Sequence, residues 1–482
     1  MNKPVKISLI GLGVIVGLLV LLFGYLLLFF DVNDYKDNIQ NAVAGHTGRD
    51  LQINGEIELS LFPWLGLEVN KLSLGNAKGF EAPRMAEFQK ALFKVKLLPL
   101  LKKNIHVGTL QLKNFQINLA RNQQGATNWQ DLIPTEKKAP GDTKPPSGKP
   151  GAGPLELAGL SIERIEFLQG ELSWQDAASQ TRMELTELDF SLGPVQLKSP
   201  FPFELSAVLS SNQPHISRAE VESSGKASLD LEKQIVTLQG LQIKTTAQGE
   251  AIPGKQAEFS LSGDTTFDYP NQTLSVPELE VRSYNLSLKA GLKGSSLLES
   301  PEFSGSLDIQ EFNPKQLLQK LQLPPLETSD PEALTALAAS LRFSATPANL
   351  AISELQARLD GTSLQGSSRI TEFETPKIEC NFQLDEINLD RYLPPQAEKK
   401  SKTGRQAEGT TRKSEQPDSE SREQTGKAAK SPQLVLGLPL DTLRSLDLSA
   451  QLDVDSLTLN TMNLNNVSVE VRAQAGLLMI DP

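Results

Sequence analysis

Cysteine is nearly missing from this chain of 482 residues: Cys380 stands alone, so no intramolecular disulfide can form. Set in an alternating run, it reads as a small buried hydrophobe, not a nucleophile. Histidine is almost as scarce. His46, His106 and His215 are far apart, no H-E-x-x-H or Cys–His spacing occurs, and metal catalysis is not expected. There is no G-x-x-x-x-G-K-[ST] loop, which excludes nucleotide hydrolysis by that route. The segment from Gly361 to Gly366 has the wrong spacing for a G-x-S-x-G elbow. Positive charge is in the minority, with Lys+Arg 47 against Asp+Glu 58 and a formal net charge of -11. A nucleic-acid binder needs a basic footprint, so that class is excluded. Acidic pairs such as Asp385-Glu386 fall at wet-face or turn positions and read as solvated. No catalytic, cofactor-binding or metal-ligating residue is assigned, and the chain reads as a non-enzyme.

Long apolar runs are also lacking, with one exception. Ile7 to Phe30 carries no charged residue. Its length, about 24 residues at 1.5 Å each, is enough to cross a hydrocarbon layer of ~30 Å. Lys3 and Lys6 precede it and Asp31 and Asp34 follow, so residues 1–6 are expected in the cytoplasm and the bulk of the chain on the far side. The run is too long for a signal-peptide core and no small-x-small site follows, which predicts an uncleaved anchor.

Beyond the anchor a short helix is predicted. Asn33 is its candidate cap, Val32, Tyr35, Ile39 and Val43 its apolar stripe, and Gly45 and Gly48 its stop. From about Leu51 the period changes from 3.6 to 2. Leu65, Leu67 and Val69 alternate with polar residues, then Leu72 and Leu74. The same pattern holds for Phe115, Ile117 and Leu119, for Leu286 and Leu288, for Phe382 and Leu384, and for Val467, Val469 and Val471. Such alternation predicts strands with one dry face and one wet face, which antiparallel sheets tolerate. Further helices are predicted after Asn313-Pro314, carrying Leu317, Leu318 and Leu321, and after Asp330-Pro331, carrying Leu334, Leu337 and Leu341. Lys94 to Asn104 is too short and too broken by Pro99 to span a membrane. Residues 134–154, rich in Pro, Gly and Lys, and 394–432, dense in Lys, Glu, Ser and Gln, read as disordered. They leave strand blocks at 31–133, 155–393 and 433–482.

So many dry faces must be covered by something. Two sheets can pack together, or a barrel can fill with side chains. Alternatively, an open, curved sheet presents its dry face to acyl chains. About 25 strands at ~4.8 Å would make such a sheet on the order of 120 Å long. The candidate lining is Leu65, Leu67, Phe115, Ile117, Leu119, Leu286, Leu288, Phe382 and Leu384, and the expected partner is phospholipid.

Several segments together resemble the amino-terminal signature of the AsmA family: Phe30 to Lys36, Thr47 to Gly55, Leu59 to Gly66, Asn76 to Phe80, Val95 to Leu101 and Asn118 to Trp129. Phe303 to Pro314, Ile387 to Pro394 and Leu446 to Gly476 are similar to later parts of the same family. The resemblance implies a Gram-negative inner-membrane protein facing the periplasm. It implies a chorein-like helix and groove start within 31–133, and a fold that is mainly β. That fold is an N-terminal transmembrane helix followed by an elongated, curved antiparallel β-sheet groove of the repeating β-groove type, with a few short helices. It further implies a role in outer-membrane biogenesis, through phospholipid movement or through outer-membrane protein assembly, with envelope proteins meeting the carboxyl end. Family members usually continue with more strands after a segment like Gly476 to Pro482, so a short or truncated C-terminal block is expected.

Overall fold

The computed structural model describes residues 31–60, 64–96, 99, 106–132, 161–395, 447–474 and 477–481. The expected anchor, Ile7–Phe30, and the insert 134–154 lie outside the described residues, as does 394–432 except Pro394 and Pro395. Among the described residues no helix is long and apolar enough to cross a membrane. The chain forms two compact units, Met1–Gln310 with Gln316–Leu323, and Glu311–Lys315 with Pro324–Pro482. Both are mainly β.

The first unit opens with a single turn at Val32–Tyr35 that runs into helix α1 (Lys36–Thr47). Its cap is Asp31, whose carboxylate accepts from the Asn33 N–H at 2.8 Å. Asn33, the expected cap, does other work: it accepts from Ile57 N (2.8 Å) and donates to Ile57 O (3.0 Å). Gln40 likewise accepts from Ile53 N at 2.9 Å. These amides satisfy backbone groups on the outer edge of the first two strands, where an open ladder would invite foreign strands. Gly48 ends α1 in the left-handed conformation (φ 68°).

Behind the helix the strands are β1 (Leu51–Ile53), β2 (Ile57–Ser60), β3 (Trp64–Gly75), β4 (Arg84–Lys96), β5 (His106–Arg121), β6 (Ser161–Asp176), β7 (Thr181–Leu192), β8 (Val195–Gln196), β9 (Phe201–Asn212), β10 (His215–Asp230), β11 (Ile235–Gln248), β12 (Gln256–Asp268), β13 (Thr273–Ser283), β14 (Leu286–Ser295) and β15 (Glu302–Phe312). β1 and β2 pair with opposite halves of β3, and from there each strand pairs with the next. The exception is little β8, which pairs with β6 and leaves β7 beside β9. β4 runs through Lys96, so the first residues of the Lys94–Asn104 segment are strand. Helix α2 (Pro314–Lys320) follows Asn313 as expected.

The second unit holds β16 (Leu337–Ala345), β17 (Asn349–Leu359), β18 (Thr362–Thr371), β19 (Lys377–Asn388), β20 (Asp447–Leu459), β21 (Met462–Gln474) and β22 (Leu477–Asp481), paired in chain order.

Two expectations need correction. The sheets are mixed, not purely antiparallel: β5 pairs with β6, and β19 with β20, in parallel. A parallel step needs a long return connection, and both fall where a long insert separates the strands in sequence. The helix expected after Asp330-Pro331 is a turn, and Leu337 and Leu341 belong to β16. The Asp360 carboxylate accepts from the N–H groups of Leu334 (2.8 Å), Thr335 (2.9 Å) and Ala336 (3.1 Å) and from the Tyr392 hydroxyl (3.0 Å). Those donors are spent on a side chain and cannot propagate a helix. Leu337, Ala339, Leu341 and Phe343 then alternate with period 2.

Arg49 anchors the far end of α1. Its side chain is 98% covered, and it donates to Asp131 Oδ2 (3.0 Å), Asn128 O (2.6 Å) and Gly75 O (3.2 Å). Asn128, fully buried, bonds Asn76 Oδ1 and Asn118 O.

Candidate functional site

Register assigns each side chain to a face, because directly paired residues share one side of a sheet. In the first unit one row runs Val69, Ala91, Leu112, Phe167, Phe190, Leu205, Ser223, Ile243, Leu261, Val281, Leu288, Ile309. The adjacent row, on the opposite face, runs Glu68, Leu92, Gln111, Glu166, Ser191, Glu204, Ser224, Gln242, Ser262, Glu280, Lys289, Asp308. One face is apolar across twelve strands save for a serine; the other is polar save for a leucine. In the second unit Leu341, Leu355, Gly366, Phe382, Leu452 and Val469 form an apolar row, and Ser340, Gln356, Gln365, Gln383, Asp453 and Ser468 a polar one.

Burial is the decisive property of these apolar rows. Every residue of the twelve-strand row and of the six-residue row is half-buried, and not one is buried. In a sheet packed on a second sheet, the middle row would be the core. Here neighbours on the same face cover the flanks of each side chain, and among the described residues no second layer covers the top.

The periodicity holds to one face by a device in the backbone. Apolar positions shift from every second residue to a gap of three at Val69–Leu72, Leu112–Phe115, Phe167–Gly170, Leu185–Leu188 and Leu238–Leu241. A left-handed residue sits in each gap: Lys71, Asn114, Gln169, Glu187 and Gly240. Each returns the next apolar side chain to the same face, and at Gln169, Glu187 and Gly240 the ladder register shifts as in a bulge.

The candidate lining residues fall within this frame. Leu65 pairs with Val95 and Leu67 with Phe93, Ile117 with Ala86 and Leu172, and Leu119 with Trp174. Leu286 faces Ser283, and Leu288 faces Val281 and Ile309. These residues share the apolar face of the first unit. Phe382 and Leu384 lie on that of the second, opposite Leu452 and Val454. Leu67 is exposed, and Phe115 is covered at 5% exposure. Phe115 stacks near Phe88 (6.4 Å between centroids) and meets Phe167 edge-on (6.2 Å), which in turn approaches Phe190 (5.8 Å). Sequence reasoning did not single out Phe88 or Phe167, and it read Phe190 only as part of the alternating run Leu188, Phe190, Leu192. The signal for Phe167 was the gap of three before Gly170, which keeps to one face only because Gln169 is left-handed.

Chemistry elsewhere is sparse. His106 Nδ1 lies 2.8 Å from Ser161 Oγ, at the start of the parallel pair, with no carboxylate bonded to the imidazole among the described residues. Among the described residues no group of three His, Cys, Asp or Glu is arranged to hold a metal. Two depressions, of about 620 and about 520 Å³, are lined chiefly by polar-face residues such as Arg182, Glu184, Glu204, Glu222 and Lys244, a poor seat for an acyl chain. The lowered carboxylate pKa values include those of Asp176 and Asp330, each held by a neighbouring turn or ion pair. Asp176 is held down first by the Ala178 N–H, and Asp330 first by the Arg391 guanidinium.

No curated protein matches the chain. The model of the AsmA family matches residues 1–482. With that match over its whole length, the chain belongs to the AsmA family.

Proposed function

We propose that this protein is a non-enzymatic lipid conduit of the periplasm, anchored in the bacterial inner membrane by Ile7–Phe30, and that it serves outer-membrane biogenesis by carrying phospholipid along its apolar sheet faces. The uncovered twelve-strand row supports this reading above all else. A two-chain lipid with about 30 methylenes costs on the order of 20 kcal/mol to draw into water at ~0.8 kcal/mol each. A half-buried aliphatic surface offsets much of that cost with no catalytic group. Aliphatic side chains grip tails of any head group, and the head group stays in water, so selectivity is low. Family membership supports the same reading.

A second reading, an assembly factor for outer-membrane proteins acting by contact, has one observation of its own. In β22, Leu477, Leu478, Met479 and Ile480 are all 50–69% exposed, so β22 presents apolar side chains on both faces. Such exposed apolar side chains suit contact with a partner protein.

Photo-crosslinking from Ile117 and from Leu288 in cells separates the two. Lipid adducts are expected at both positions. Protein adducts without lipid would overturn the conduit in favour of the assembly factor.

A further inference from the structure

Four phenylalanines on the apolar faces stand directly beside a glycine of the neighbouring strand. Phe203 pairs with Gly225, Phe303 with Gly294 and Phe382 with Gly366. Phe115 lies beside Gly170 in the parallel pair, between the matched positions Lys113–Leu168 and Gln116–Glu171. None of these glycines has a left-handed backbone, so conformational need does not explain them. Lack of space does, and a ring takes up at least part of that space in each case. A Cβ built on Gly170 would lie 2.1 Å from Phe115 Cζ, with the next two contacts also ring carbons. The ring lies 3.1 Å away at Gly225, 3.1 Å at Gly294 and 2.6 Å at Gly366; there it shares the space with Leu241 Cα (3.2 Å), with the Leu297 side chain (2.9 Å) and with the Asn381 carbonyl oxygen (2.2 Å) respectively. At Gly170 the ring alone occupies the space a side chain would fill, and at the other three it occupies part of it.

Resting on the lipid reading above, we propose that these glycines are positioning residues that set the depth of the apolar trough. By leaving a seat on the neighbouring strand, each lets a large ring lie low. The ring then adds apolar surface to the floor without standing in the path of an acyl chain. A flat ring raises the floor by about one carbon–carbon contact, ~3.5–4 Å. An upright ring takes up most of the ~5 Å that one side-chain layer occupies between packed sheets. The four seats are spread over β5–β6, β9–β10, β14–β15 and β18–β19, so the device recurs in both units. Phe115, the ring with the tightest seat, is 5% exposed.

The test uses the purified full chain in detergent with a fluorescent phospholipid, and fluorine NMR of a 4-fluorophenylalanine placed at position 115. In Gly170→Ala the added methyl evicts the Phe115 ring. The fluorine signal should move to a solvent-sensitive position, and phospholipid should bind about fourfold more weakly, the factor that one buried methylene is worth. The double variant Gly170→Ala with Phe115→Leu should return binding to the wild-type level, because the smaller side chain no longer needs the seat. Gly225→Ala, with its 3.1 Å contact, is the milder companion should Gly170→Ala fail to fold, with Phe203→Leu as its rescue. A ring that lifts without weakening binding, or one that does not lift, overturns the proposal. So does a double variant that stays weak. A wild-type chain that binds no phospholipid sinks the conduit reading itself, and the two failures are thereby distinct.

Discussion

Leu288→Asp measures whether the apolar face is open. Leu288 sits on β14 between Val281 and Ile309, half-buried, in the row that spans the first unit. Fully burying a leucine stabilises by ~1.5–3 kcal/mol, so half-burial contributes about 1 kcal/mol. Losing two cross-strand apolar pairs adds about 0.2–1 kcal/mol each. The new carboxylate keeps its uncovered side in water, so the penalty for an unpaired buried charge does not apply. The expected destabilisation is therefore about 1.5–3 kcal/mol, compatible with a folded chain. Ile57→Asp is the internal control: Ile57 is 3% exposed, and a charge there should cost more than about 4 kcal/mol. Urea unfolding of the two purified variants beside wild type gives both numbers, and quantifying the phospholipid that copurifies gives the functional effect. Leu288→Asp should fold and lose bound lipid. If it destabilises as much as Ile57→Asp, the face is a packed interior and the reasoning fails; if it folds and keeps all its lipid, the row is not where acyl chains lie.

Three further outcomes are expected. Arg49→Ala should cost about 2–4 kcal/mol in thermal unfolding, because it strands Asp131 and the Asn128 carbonyl, and Arg49→Lys should recover less than half, since an ammonium cannot make the forked contact. Burial raises the Asp360 pKa, but the N–H groups of Thr335, Leu334 and Ala336 outweigh it and hold the carboxyl below its ordinary range. Its stabilising contribution is thus present above the unfolded value of about 3.9 and lost as pH falls through the lower folded value, so Asp360→Asn should flatten the acid limb of a pH–stability curve. Cys380, half-buried beside Ser368 (3.3 Å) on the apolar face of the second unit, is a native attachment point for a polarity-sensitive dye. Adding phospholipid vesicles should shift the dye emission to the blue, and an unmoved spectrum would count against lipid on that face.

Period-2 alternation alone determined that this protein is built of two-faced strands, because side chains on a pleated strand must point to opposite sides in turn. Leu286, Leu288, Phe382 and Leu384 could be placed on dry faces from that rule. The turn chemistry of Asn313-Pro314 likewise fixed α2, a purely local matter. Three features were decided only by tertiary structure. The gaps of three at Leu112–Phe115 and Phe167–Gly170 read in sequence as a change of face, and only the left-handed residues Asn114 and Gln169 keep one face apolar. The stretch after Asp330-Pro331 carries helical spacing in Leu334, Leu337 and Leu341, yet Asp360, 26 residues from Leu334, claims the N–H groups a helix would have used. Last, alternation cannot say whether a second layer covers a dry face. That depends on contacts between residues far apart in the chain, and here the half-burial of every residue from Val69 to Ile309 in the row answers it.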